Sequence, residues 1–328
     1  MRFKKLFNIK KAASALLSAL VLSCACSCGT AGFGGNDKLK VVTTVFPEYD
    51  WVIQIAGDKI SDIDLTFLLD NGVDLHSFQP TAQDIIKISS CDVFVYVGGE
   101  SDEWVEDVLK EASNKNMQVV NLMNLLGDSV KEEEIVEGMQ AEAEDGGEEK
   151  EYDEHVWLSL NNAQILVSGI ADAMCKADPD NESTYKANAG SYITKLKELD
   201  SSYKAAFSAA SKDTILFGDR FPFRYLTDDY KLKYYAAFAG CSAETEASFE
   251  TVIFLSRKID ELGLDYVLVI EGSDHKIAQT IIGSTKNKNQ EILELNSMQS
   301  TTSADLSKGS SYLSIMEKNL DILTKALG

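Results

Sequence analysis

The 328-residue chain has only three histidines, His76, His155 and His275. Neutral imidazole offers a nitrogen lone pair, so it serves as a base, a proton shuttle or a metal ligand. His76 lies in NGVDLHSFQP, after the apolar run IDLTFLLD. His155 lies in EYDEHVWLSL, at the exit of the most acidic stretch. His275 follows Glu271 and Asp274 in the segment after YVLVI, and Asp219 ends TILFGD. In open α/β sheets, ligands gather beyond the carboxyl ends of the strands. These residues occupy loops of that kind. Imidazoles and carboxylates converging on a cleft are a ligand set for zinc or manganese. Plainer roles remain open at every position. Asp219 could pair with Arg220 or cap a helix. Glu271 and Asp274 could cap KIAQTII, and His275 could be a solvated helix-start residue. Spacing alone decides between neither reading.

The elements that must position these residues alternate in type. LKVVTTVFP, IDLTFLLD, DVFVYVGG and MQVVNL read as strands, with helical patterns between them. The same alternation restarts with DTILFGD, KLKYYAAF, DYVLVIEG and QEILEL, and SYLSIMEKNLDILTKAL reads as a closing helix. Such alternation implies βαβ units and mostly parallel sheets. Tyr185, Ala189, Tyr192, Leu196, Leu199 and Tyr203 recur at three- and four-residue spacing. That pattern predicts one long helix over 181–211, a stiff rod between two Rossmann-like lobes. The expected organisation is an N-terminal lobe over 39–180, the linking helix, and a C-terminal lobe over 212–328.

Two segments depart from this pattern. Within an acidic loop at 129–154, the 24 residues 131–154 hold twelve acids and two lysines. Such composition buries too little apolar surface to order itself, so a mobile loop is expected. At the N-terminus, MRFKKLFNIKK is basic and AASALLSALVL is short and apolar, which reads as a secretory signal over 1–23. Ser23-Cys24 suits a lipobox, with Cys26 as second candidate and 24–38 as a flexible tether. A diacylated cysteine would anchor the chain to the outer face of the cytoplasmic membrane. Removing 1–23 leaves 26 basic against 52 acidic residues. That excess argues against a nucleic-acid partner and suits attraction of cations. Cys91, Cys175 and Cys241 form no recognisable zinc motif, and the first two sit in apolar contexts.

Several stretches together resemble the zinc- and manganese-binding lipoproteins of bacterial ABC importers. They are VVTTVFPEYDWVIQIAGDKI, GVDLHSFQPTAQDIIKISSCDVFVYVGG, DEHVWLSLNNAQILVSGIADAM and DPDNESTYKANAGSYITKLKELD. The resemblance covers nearly all of the chain beyond the leader. It implies two lobes joined by a rigid backbone helix, with small movements on binding. It also implies a metal carried to an ABC permease by a monomeric, non-enzymatic receptor. His76 and His155 match the first two ligand positions. The third falls on Asp219 or Arg220, depending on register. Protonated arginine cannot ligate a cation, so Asp219 is preferred. The fourth falls on Asp274, with His275 and Glu271 as alternatives. Zinc is the expected ion and manganese the alternative, and binding should weaken below about pH 6 as imidazoles protonate. A metal-dependent hydrolase, an adhesin lipoprotein and a receptor for chelated metal or haem are the competing classes. The first lacks an HExxH motif.

Overall fold

The computed structural model describes residues 38–140, 151–242 and 246–328. Cys24, Cys26 and residues 141–150 of the acidic loop lie outside them. The first lobe runs β1 (Leu39–Thr43), α1 (Phe46–Ala56), β2 (Ile63–Phe67), α2 (Ala82–Ser90), β3 (Val93–Tyr96), α3 (Trp104–Lys110), β4 (Gln118–Asn121) and α4 (Leu122–Leu126). Its strands pair in parallel in the order β2-β1-β3-β4. Val93, Phe94 and Val95 are fully buried, as required of a central strand covered on both faces.

The chain continues through α5 (Leu160–Ala177) into α6 (Glu182–Ala209). The second lobe is β5 (Thr214–Phe221), α7 (Arg224–Tyr230), β6 (Lys233–Ala239), α8 (Phe249–Leu262), β7 (Tyr266–Ile270), α9 (Lys276–Ser284), β8 (Glu291–Leu295), α10 (Ser303–Ser307) and α11 (Tyr312–Leu327). Its parallel order, β6-β5-β7-β8, repeats that of the first sheet. In each sheet the second strand in space is the first in sequence. The chain therefore steps off to both sides of it, which is the topological switch where ligands bind in such sheets.

Helix α6 has 28 residues, about 42 Å at about 1.5 Å per residue. Its buried stripe is Tyr185, Ala189, Tyr192, Leu196, Leu199 and Tyr203. The helix packs on α5, α1 and α11. Buried Asp50 of α1 accepts from the Tyr312 backbone N–H of α11 at 3.0 Å and from the Tyr192 hydroxyl of α6 at 3.4 Å. Tyr203 donates to the Met316 carbonyl at 2.6 Å. The closing helix of the second lobe is thus fastened to the first. One apolar cluster runs from Val41 and Trp51 through Tyr192 to Phe217 and Leu323. A smaller one, around Leu216, Leu255 and Val267, fills the far face of the second sheet.

The arms of the acidic loop differ from expectation. Glu132 pairs antiparallel with Tyr152, and Gln140 pairs parallel with Phe238 of β6. Lys131 bridges to Asp228 at 2.7 Å, and Glu134 pairs with Arg224. The arms gain order by borrowing partners from the second lobe, its sheet edge and its cations. A composition count over the segment alone cannot register those partners.

Candidate metal centre

His76 sits in a 3-10 turn, Leu75–Ser77, beyond β2. Asp74 starts the turn: its Oδ1 accepts from the His76 backbone N–H at 3.0 Å. Buried Leu75 and Phe78 pin the turn from below. His155 is fully buried. Asp153 Oδ1 accepts from its backbone N–H at 2.8 Å and lies 2.9 Å from its Nδ1. Val156, Trp157 and Leu158 follow as a wholly buried 3-10 turn. The Trp157 indole donates to the Ser297 carbonyl at 2.8 Å, which ties the turn to the second lobe.

The two Nε2 atoms stand 3.4 Å apart. Two nitrogens each about 2.0–2.1 Å from one tetrahedral ion are about 3.4 Å apart. Both Nδ1 atoms face oxygens. For His155 the oxygen is that of Asp153. For His76 they are Ser101 Oγ at 2.8 Å and Glu154 Oε2 at 3.5 Å. Protons placed on Nδ1 meet acceptors there and leave both Nε2 atoms, 3.4 Å apart, as unprotonated donors of a lone pair. Oxygen partners behind metal-ligating imidazoles set the tautomer and raise ligand basicity in this way.

Glu154 is buried. Its Oε1 accepts from the Ser101 N–H at 2.9 Å, while Oε2 has no hydrogen-bond partner. Gly99, beyond β3, makes room for it. A Cβ at Gly99 would lie 2.3 Å from Glu154 Oε1, and φ there is +85°. Burial, and then the nearby His155, lower the His76 pKa to about 4, so this imidazole is neutral near pH 7. Burial also opposes charge on His155, but Asp153 outweighs it and the pKa is raised.

The third member of the group is Cys241, beyond β6. Ligand atoms of His76, His155 and Cys241 all lie within 4.8 Å of one another. Among the described residues this is the one such group of three or more His, Cys, Asp or Glu. A cavity of about 260 Å³ opens over it, lined by His76, Glu100, Ser101, Glu133, Glu154 and Cys241.

Asp219, Asp274, His275 and Glu271 fall outside the group. Asp219 accepts from the Arg220 N–H at 2.9 Å and lines a neighbouring cavity with Asp74, Glu271 and Asp274. Asp274 is exposed, accepts from the Lys276 N–H at 3.0 Å and pairs with the Lys276 ammonium. His275 has φ +63° at the start of α9. Glu271 accepts from Ser297 N–H at 2.7 Å, Ser297 Oγ at 2.8 Å and Gln299 N–H at 3.0 Å. These bonds hold the loop carrying Gln299. With its amide turned to satisfy its neighbours, Gln299 donates towards His155 Nε2 at 3.3 Å and Asp74 at 3.2 Å. In this structure Asp219, near the end of β5, and Asp274, beyond β7, are held by local backbone and lysine partners.

A family model described as ZnuA, zinc-uptake complex component A periplasmic, matches residues 41–326. The chain belongs to the ZnuA family. It is 31% identical over 311 residues to the high-affinity zinc uptake system protein ZnuA of Bacillus subtilis, covering 92% of this chain and 93% of that one. It is 32% identical over 293 residues to zinc-binding protein AdcA of Streptococcus pyogenes serotype M3, covering 87% of this chain and 55% of that protein. The chain thus spans about half the length of such AdcA relatives. Among solved structures, the Zn(II)-bound ZnuA-like domain of Streptococcus pneumoniae AdcA aligns with a TM-score of 0.69 and 30% identity, covering 88% of this chain and 99% of that one.

For a ZnuA-family chain, the residues that sequence reasoning passed over are Cys241, Asp153, Glu154, Ser101 and Asp74. Cys241 carried the signal that selected His76, a position just beyond the carboxyl end of a strand. Asp153, Glu154 and Ser101 stand behind the imidazoles and Asp74 caps the His76 turn, and no spacing rule marks them.

Proposed function

We propose that this chain is the extracytoplasmic solute-binding component of an ABC importer, and that it captures zinc and hands it to the permease. The observation that carries the reading is the pair of Nε2 atoms 3.4 Å apart, each imidazole backed by oxygens at Nδ1. Zinc is favoured over manganese because His and Cys donors suit it and the group contains no carboxylate. Names of relatives on both sides of the comparison, zinc-binding AdcA and zinc-uptake ZnuA, support the same ion. The acid-lined cavity above the group concentrates cations at its mouth. The ion is captured and released chemically unchanged, with no substrate turned into product. In this reading the leader is removed and Cys24, with Cys26 as the alternative, carries the lipid that holds the receptor at the outer face of the cytoplasmic membrane.

Zinc stoichiometry and affinity of wild type, His76→Ala and His155→Ala test this. Wild type should bind one zinc per chain. Each variant should bind at least about 100-fold more weakly, since losing even a partner behind a ligand costs about 10–100-fold. Equal affinity in all three would overturn the reading.

A further inference from the structure

We propose that the Cys241 thiolate is the third zinc ligand, supplied by the second lobe. The inference rests on the reading that the ion sits between His76 and His155, and it goes further by naming the donor that closes the site.

The end of β5 supplies no ligand to the group. Arg220 there points its guanidinium at Asp74, 2.8 Å away, and at the Ser242 carbonyl, 3.4 Å away. A guanidinium has donors only and cannot bind a cation. The neighbouring strand, β6, takes over. It ends at Ala239; Gly240 and Cys241 follow, and the Cys241 sulfur joins the two imidazole nitrogens within 4.8 Å.

Two features of the backbone place the sulfur. The Cys241 N–H donates to Glu133 Oε1 at 3.0 Å, so an arm of the acidic loop fixes the residue. Gly240 lets the strand end approach the imidazole. A Cβ there would lie 2.9 Å from the Phe221 carbonyl and 3.2 Å from His155 Cε1. A larger residue would push Cys241 off the centre.

Binding exchanges the thiol proton for the metal: the S–H bond breaks, the sulfur–zinc bond forms, and one proton leaves to solvent. Two imidazoles and a thiolate are a soft set that selects zinc against manganese. The distinction between the two ions then lies in one side chain of the second lobe.

The test loads the full-length protein with cobalt(II), whose bonds to thiolate give a near-ultraviolet charge-transfer band. Wild type should show the band. Cys241→Ser and Cys241→Ala should lose it, while Cys175→Ser keeps it. Zinc affinity of Cys241→Ala should fall by at least about 100-fold, while any manganese binding changes far less. In wild type, zinc should also protect Cys241 from iodoacetamide, read by peptide mass spectrometry; this arm needs no variant to fold. A band that survives in Cys241→Ser, or no protection at saturating zinc, overturns the thiolate ligand. If His76→Ala still abolishes zinc binding, the ion remains between the imidazoles and only this inference fails. If His76→Ala and His155→Ala also bind as wild type, both readings fail together.

Discussion

At the scale of single residues, the candidate centre is decided by what stands behind the ligands. His155 gives Nε2 to the group because Asp153 Oδ1 sits 2.9 Å from Nδ1. Asp153→Asn keeps the shape but presents an amide, whose NH₂ can donate to Nδ1 and drive the imidazole proton onto Nε2. Zinc affinity should therefore fall by about 10–100-fold, with little change in the thermal midpoint of the metal-free protein. Competition against a chromophoric chelator reads the affinity, and wild-type affinity in the variant would remove Asp153 from this role. His76 and His155 could be selected from sequence because imidazoles are scarce in this chain, the first follows an apolar run and the second leaves the acidic stretch. Their approach to 3.4 Å could not be selected. Asp219 Oδ1 accepts from the next backbone N–H, a local contact that its charge and place in the sequence do not register.

At the scale of elements, the alternation of β-branched runs with helical patterns carries the fold, because central parallel strands must be apolar on both faces. The helix predicted over 181–211 is α6, Glu182–Ala209, and its six patterned residues are the buried stripe. The acidic arms were illegible because their order comes from pairing with β6, a contact between segments about a hundred residues apart. Helix α1 contains a further device hidden from sequence. Glu48 is fully buried at its first turn, and its Oε2 accepts from Thr44 and Val45 N–H groups at 2.8 and 3.3 Å. Its Oε1 has no hydrogen-bond partner. Burial raises its pKa from 4.5 to about 8, although the Thr44 N–H pulls the other way. The folded chain therefore holds this proton more tightly than the unfolded chain. The associated stability is fully present below about pH 4.5 and is lost as pH rises towards 8, by at most about 1.4 kcal/mol per pH unit. Glu48→Gln should remove that slope. Urea unfolding of both proteins between pH 5 and 8 checks it, and parallel stability curves would refute it.

At the scale of the whole molecule, the two lobes share an apolar cluster and a long helix tied to both. Wide closure would tear that cluster open, so under the proposed function an ion would leave by local loosening at the cleft. The Arg220–Asp74 bridge is placed to control it. Arg220 belongs to β5 of the second lobe, and Asp74 begins the turn that carries His76 in the first. Burial disfavours charge on Asp74, but the Arg220 guanidinium outweighs it and lowers the carboxyl's pKa. Both side chains are about 22% exposed, so solvent screens the pair and its worth stays near the upper end of a surface bridge, about 1 kcal/mol. Arg220→Met keeps the aliphatic stem and removes the charge. The His76 turn then loses its charged hold from the opposite lobe, keeping that of Gln299, while every candidate ligand remains. Zinc dissociation into excess chelator, followed by stopped flow, should accelerate by about 5–10-fold, the kinetic equivalent of about 1 kcal/mol. Association should change little, because the acid-lined mouth is intact. Asp74→Asn should accelerate dissociation similarly, and the double variant should add little to either, since both remove one contact. Fully additive effects would mean the two residues act separately, and the bridge would then be a surface ion pair with no part in holding the ion.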